Sequence, residues 1–343
     1  IDRVDGELSS AVSGNGAGSV DVDVAVIDTG IDLNHPELNV VGGINCSTGN
    51  SFNDGNGHGS HVAGIAAAVD NTTGVIGVAP GCRIMPLRVD LTSGMNQNRA
   101  DAINYVRAQA VANPTRLYVI NCSWVMNGDH AGVRTAIQNA VNNNLIVVFA
   151  AGNDNRNTDI TPQFPGVYPE VIAVAALGSG DTKASFSNFG GNIDVSAPGV
   201  EIYSTVPNDT YAFMSGTSMA APHVSGLAAL IWSQDRALTN QQVRQRIEDT
   251  CDNIDALNSG FIGQLGPGRI NACRALSQRC LVVSAVIDFG WVPLEEVETR
   301  TLTIRNNGAN DVTVAFSPSP DPAQAAIYWQ AVTCGHAQSS PQR

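Results

Sequence analysis

An α/β fold, a three-layer αβα sandwich around a mostly parallel sheet, is predicted by three features of this sequence. Short continuous apolar runs recur along the chain, each ends on a turn residue, and helix-length stretches stand between them. The runs are VDVAVIDTG (22–30), RIMPLRVD (83–90), RLYVINCS (116–123), LIVVFAAGN (145–153) and VIAVAAL (171–177), and they read as buried strands. NRADAINYVRAQAV (98–111) and AGVRTAIQNAVNNN (131–144) read as covering helices, joined by right-handed crossovers. Functional groups in such sheets gather at the carboxyl ends of the strands. Asp28, Ser123 and Asn153 stand at those ends. After about Ser277 the pattern changes to a period of two, with NNG as a turn signal, which divides the chain into residues 1–277 and a small β-rich module at 278–343. The final HAQSSPQR reads as a disordered tail.

With 343 residues, 43% hydrophobic and 14% charged, the chain can bury a large core. Its formal charge of -13 opposes binding to nucleic acid and to anionic lipid, and both partners are excluded. No run approaches the roughly 18 apolar residues of a membrane helix, so membrane insertion is not expected. IDRVDGEL shows no signal-peptide pattern, and the chain reads as a soluble, already processed product. The seven cysteines lack the close paired spacing of a zinc site. An acidic, lysine-poor, cysteine-containing chain suits an exported protein, in which Cys46 with Cys82 and Cys251 with Cys273 could be disulfides. Cys122, inside an apolar run, reads as a buried inert thiol.

The stretch SGTSMAAPHVSG (215–226) joins a polar turn to the apolar run LAALIWSQ, and a serine sits on that hinge. Thr217 or Ser218 there could cap a helix. A hydroxyl beside the oriented N–H groups of a helix start could equally attack a carbonyl whose oxyanion those groups stabilise. Upstream, VAVIDTGIDLNHPEL places an aspartate at a strand end, and DGNGHGSHVAGIAAAV places a histidine at the start of a small-residue helix. A neutral hydroxyl is a weak nucleophile and needs an imidazole to take its proton and a carboxylate to orient that imidazole.

With DTG, HGSH, AAGN and GTSMAAPHVSG in this order, residues 1–276 resemble the subtilisin family (subtilases) of serine endopeptidases. The resemblance implies a subtilisin-like sheet and assigns Asp28, His58 and Ser218 to the triad, with Asn153 as oxyanion donor. His61 and His223 are read as core hydrogen-bonding residues, and Met219 as a gap-filling thioether open to oxidation beside Ser218. The expected substrate is a protein or peptide pairing in extended form against edge segments, one containing Ser123, Trp124 and Val125, the other Ala150, Ala151 and Gly152. Val125 stands where the family commonly has glycine, and Trp124 where it has a smaller apolar residue. Gln163, near the pocket base in the family, is expected to shorten the pocket and favour neutral, modest-sized P1 residues. The resemblance makes Phe164–Pro165 a candidate cis peptide, whereas X–Pro statistics alone favour trans.

Calcium is the one cofactor the resemblance implies, at Glu37 and Asn71 through side chains and at Val69, Thr73 and Val75 through carbonyls. Here Glu37 stands where the family usually has aspartate, and IDRVDG offers no clear counterpart of the N-terminal ligand. The resemblance also implies secretion, an N-terminal propeptide acting as folding aid and inhibitor, and a monomer. The module after Ser277 resembles the opening of an immunoglobulin-like repeat. Two other readings compete with hydrolysis: a catalytically silent binding or adhesion protein, and a peptide ligase or cyclase of the same site.

Overall fold

The structure, a computed structural model, describes residues 20–92 and 95–276, together with the backbone of four two-residue strands further on. Its centre is strand β1 (Asp23–Asp28), buried at every position. Around it lie β2 (Ile44–Asn45), β3 (Arg83–Arg88), β4 (Tyr118–Cys122), β5 (Ile146–Ala150), β6 (Ile172–Leu177) and β7 (Val195–Pro198). They form a seven-stranded sheet in the order β2-β3-β1-β4-β5-β6-β7, and every neighbouring pair is parallel.

Alternation across the pleat explains why these strands are apolar throughout. Val24 and Val26 of β1 face one layer, and Ala25 and Ile27 face the other. The first layer holds α1 (His58–Ala67), α4 (Thr217–Gln234) and α5 (Asn240–Asp249); the second holds α2 (Asn96–Ala112) and α3 (Ala131–Asn142). Leu227, Ile231 and Trp232 of α4 are wholly buried. Removing such side chains from water stabilises the fold by about 1.5–3 kcal/mol each. The expected αβα sandwich is therefore the one observed.

Several elements, β2 among them, had no counterpart in the sequence reading. β7, α5 and the antiparallel hairpin β8 (Ile202–Val206) with β9 (Thr210–Met214) are short or polar. α5 buries only Asn240, Val243 and Ile247, but its start carries a legible signal: Thr239 and Gln242 form a reciprocal capping box.

The expected disulfides are not formed. Cys46, Cys82, Cys122 and Cys251 are free thiols. Cys82 directly precedes β3, whereas the Cys46 N–H bonds to Arg88 O at its far end. Six residues of strand separate them by roughly 20 Å, well beyond disulfide reach. They also pack against opposite faces of the sheet. Cys251 instead bonds to Ile247 O at 3.2 Å. Cys122 is buried as expected, and burial pushes its thiol up.

Beyond Leu276 the chain forms a second unit. There Leu281–Val282 pairs with Arg305–Asn306, and Ser317–Pro318 with Ile327–Tyr328, both antiparallel. The immunoglobulin-like repeat and the tail read from the sequence lie outside the described residues.

Candidate active site

The sheet order reverses at β1: chain neighbours follow on one side as β2 and β3, then on the other as β4 and β5. A crevice opens at such a switch point, above the carboxyl ends of β1 and β4. Asp28 is the last residue of β1, and Ser123 directly follows β4.

α1 begins at this crevice with His58. Gly59 allows its approach, since a Cβ there would stand 3.1 Å from Asp28 Cβ and nearer still to Gly30 O. His58 Nδ1 thus meets Asp28 Oδ1 at 2.7 Å. Because a carboxylate only accepts, Nδ1 carries the proton and Nε2 is left as the basic nitrogen. Asp28 is fully buried, while the His58 side chain remains 24% exposed. Burial alone would lower the His58 pKa, but the Asp28 charge and hydrogen bond, with Asp54 beyond, raise it above the ordinary imidazole value.

Ser218 stands in the first turn of α4, whose N-cap is Gly216 with no side-chain cap. The capping alternative is therefore not what this hydroxyl does. Ser218 Oγ donates to Ser123 O at 3.1 Å, and Ser123 Oγ donates to Ser218 O at 2.8 Å, which moors the helix start to the end of β4. The Thr217 N–H, one of the donors the helix start leaves without an intrahelical partner, goes to Asn153 Oδ1 at 2.9 Å, and Thr217 Oγ1 donates to the same oxygen. With its oxygen so occupied, Asn153 presents Nδ2 towards Gly216. A Cβ at Gly216 would lie 3.5 Å from Asn153 Nδ2 and 3.6 Å from Ser218 N. The space that glycine leaves open is thus bordered by two N–H donors, the arrangement that stabilises an oxyanion.

Comparison with known proteins agrees with this geometry. The subtilase family model matches residues 19–268. Subtilisin DY of Bacillus licheniformis is 43% identical over 245 residues, covering 71% of this chain and 88% of that protein. Thermitase of Thermoactinomyces vulgaris is 42% identical over 259 residues, covering 74% and 88%. A solved protease structure from Pseudoalteromonas arctica superposes with a TM-score of 0.69 at 30% identity, covering 80% of this chain and 93% of that one.

This chain belongs to the subtilase family. It is a serine endopeptidase, and the silent-binder and ligase readings are not favoured.

The edge segments of this subtilase are more tightly built than their sequence suggests. Trp124 is 5% exposed and points into the core, where Nε1 donates to Ile27 O at 3.0 Å and the ring packs edge-on against Phe149. Val125 is half-buried, and the Met126 N–H bonds to Phe164 O at 2.7 Å. Gln163 is buried, and its Nε2 donates to Met126 O at 3.0 Å, tying the two loops together. Its Cγ stands 3.1 Å from the place a Gly152 Cβ would occupy. Ala150 and Ala151 form a small-residue wall, each 2% exposed, and Phe164–Pro165 is cis, as the resemblance implies.

His61 and His223 keep core roles. His61 Nε2 faces Ile202 O and Ala212 O at 3.0 Å, which ties α1 to the hairpin, and burial lowers its pKa. His223 Nδ1 lies 2.9 Å from Met219 O, and burial pushes its pKa down to about 3.

The five residues expected to hold calcium gather around one carboxylate, but as hydrogen-bonding partners. Glu37 is fully buried; Oε1 accepts from Tyr211 OH at 2.7 Å and Thr73 Oγ1 at 3.4 Å, and Oε2 accepts from Val75 N at 3.1 Å. Val69 N donates to Glu37 O, and Asn71 Oδ1 accepts from Thr73 N and Thr73 Oγ1. Glu37 and Asn71 thus offer carboxylate and amide oxygens at the 69–75 loop, the hard donors a calcium ion takes, with Tyr211, Thr73 and Val75 donating to the carboxylate.

Sequence reasoning missed Asp54. It is 3% exposed and accepts five hydrogen bonds: Oδ1 from Thr29 Oγ1, Asn56 N and Gly57 N, all at 2.9 Å, and Oδ2 from Ser60 N at 2.9 Å and Ser60 Oγ at 2.7 Å. It therefore does from outside the helix what the α1 N-cap, Gly57, cannot do. An aspartate four residues before HGSH was the available signal.

Proposed function

We propose that Asp28, His58, Ser218 and Asn153 carry the peptidase reaction of this subtilase. The reading rests above all on the buried Asp28 carboxylate 2.7 Å from His58 Nδ1. When a peptide enters, His58 Nε2 takes the proton that Ser218 Oγ now shares with Ser123 O, and Oγ attacks the scissile carbonyl carbon. Charge developing on the carbonyl oxygen is met by Asn153 Nδ2 and the Ser218 N–H beside Gly216. The imidazolium, stabilised by Asp28, then protonates the departing amine, and water drawn in by His58 releases the acid product.

The segments at Ser123–Val125 and Ala150–Gly152 are proposed to pair with the extended substrate. Gln163 fills the space beside Gly152 while its amide donates to Met126 O, and the two walls contain no carboxylate, so uncharged P1 residues of modest size are the expected choice. A peptide-library profile led by lysine or arginine would refute this. Calcium is proposed at the 69–75 loop, with the Glu37 and Asn71 side chains and the Val69, Thr73 and Val75 carbonyls as ligands, on family resemblance; metal analysis after gel filtration tests it, and no retained ion would refute it. On family resemblance alone, residues 1–277 are assigned as the catalytic domain and 278–343 as an accessory module of an exported monomer matured from a propeptide.

The deciding experiment is labelling with a serine-directed phosphonate, with the adduct located by peptide mass spectrometry. Adduct on Ser218 that vanishes in His58→Ala supports the assignment. Labelling that persists in folded His58→Ala removes His58 from the role of base.

A further inference from the structure

Arg99 lies in α2 and is 3% exposed, an unusual place for a guanidinium. Its acceptors are not carboxylates but uncharged oxygens from three segments. Nη1 donates to Asn96 Oδ1 at 3.0 Å and to Val125 O at 3.3 Å. Nη2 donates to Asp90 O at 3.4 Å and Leu91 O at 3.2 Å, while Nε is buried without a partner among the described residues. The guanidinium carbon sits 4.8 Å from the Trp124 ring centroid. Trp124 in turn bonds to Ile27 O, one residue before Asp28. Such burial is costly, because the charge leaves water for carbonyl dipoles with only part of the loss offset by the Asp90 charge. That cost is offset only if a definite geometry is gained, and the groups held are the loop after β3, the carbonyl of Val125 and the indole beside it.

We propose that Arg99 is a positioning residue for extended substrates, bracing Val125 and Trp124 so that the Ser123–Met126 edge is already in its peptide-pairing shape. The proposal deepens the cleft assignment above and rests on that segment being the substrate edge. Arg99 touches neither the triad nor the oxyanion space. Its removal therefore weakens the binding of peptides long enough to lie along Val125 and spares the chemical step on short ones.

The test compares a single-residue ester with an acyl tetrapeptide anilide on wild type, Arg99→Met and Arg99→Lys. In Arg99→Met, KM for the tetrapeptide is expected to rise about tenfold, the scale of one lost hydrogen bond from a charged donor. KM for the ester and phosphonate labelling of Ser218 should stay at wild-type values, and Arg99→Lys should fall between. A structural role alone would lower the folded fraction and reduce activity on both substrates alike. Equal loss on both, or an unchanged tetrapeptide KM, overturns the proposal. If Arg99→Met does not fold, Arg99→Lys carries the same comparison, with a smaller rise confined to the tetrapeptide expected and its absence overturning the proposal. Failure of the underlying edge assignment is distinguishable: in wild type itself, KM would then not fall as the peptide lengthens.

Discussion

Asp54→Asn removes one charge from beneath the start of α1 while preserving shape, and two consequences can be worked out. An asparagine that keeps Oδ1 towards Thr29, Asn56 and Gly57 turns an NH2 group towards the Ser60 N–H, which Oδ2 now accepts at 2.9 Å. At 3% exposure no water readily replaces that acceptor. A lost hydrogen bond to a charged group together with a buried unpaired donor costs about 2–3 kcal/mol. For a domain of this size that lowers Tm by about 5–10 °C. The second consequence is a direction in pH. His58 must be neutral to accept the Ser218 proton, so kcat/KM rises with pH through the His58 pKa. Burial lowers that pKa, but Asp28 and then Asp54 carry it above the ordinary value. Without the Asp54 charge, the acid limb of the profile should move to lower pH. Differential scanning calorimetry and kcat/KM against pH on one chromogenic peptide would read both effects. An acid limb that stays in place or moves upward, with Tm within about 1 °C of wild type, would refute the role given to Asp54.

Three further outcomes are expected. Asn153→Asp keeps the oxygen that Thr217 uses but removes the Nδ2 donor, so the enzyme should fold and lose kcat; the corresponding loss in subtilisin is about 10² to 10³, and an unchanged kcat would take Asn153 out of the site. Tyr211→Phe leaves the buried Glu37 Oε1 without its closest donor and should cost about 1–3 kcal/mol near neutral pH. Burial and the Glu37 charge push the Tyr211 phenol up to about 12. Since an unfolded tyrosine ionises near about 10, its stabilising contribution is complete below that pH and is lost on rising to 12; Tyr211→Phe should flatten this part of the stability curve, and an unaltered alkaline slope would contradict it. Met219 is 2% exposed, with Sδ 3.8 Å from the position of a Gly216 Cβ. Peroxide should therefore inactivate only partly and slowly, and full activity after complete Met219 oxidation, measured by mass spectrometry, would separate this sulfur from the oxyanion space.

Local sequence determined the parts of this protein whose physics is local. A continuous apolar run can form only a buried strand or a buried helix, and length with flanking Gly, Asp and Asn distinguished the two, so β1, β3, β4, β5 and β6 were legible. The chemistry of the motifs was legible for a similar reason: Asp28, His58, Asn153 and Ser218 each lie next to the strand end or helix start that carries them. Tertiary structure decided whatever depends on separation across the sheet. Cys46 and Cys82 looked pairable until β3 was seen to hold them at opposite ends and opposite faces. The place of the Trp124 side chain was decided the same way, by an indole bonded to Ile27 O, a partner 97 positions away in the chain. Which donors meet the Glu37 carboxylate was likewise decided by the fold, since the hairpin delivers Tyr211 from 174 positions away. Arg99 gave no signal at all, because its partners are carbonyl oxygens, which every residue has and only the fold can aim.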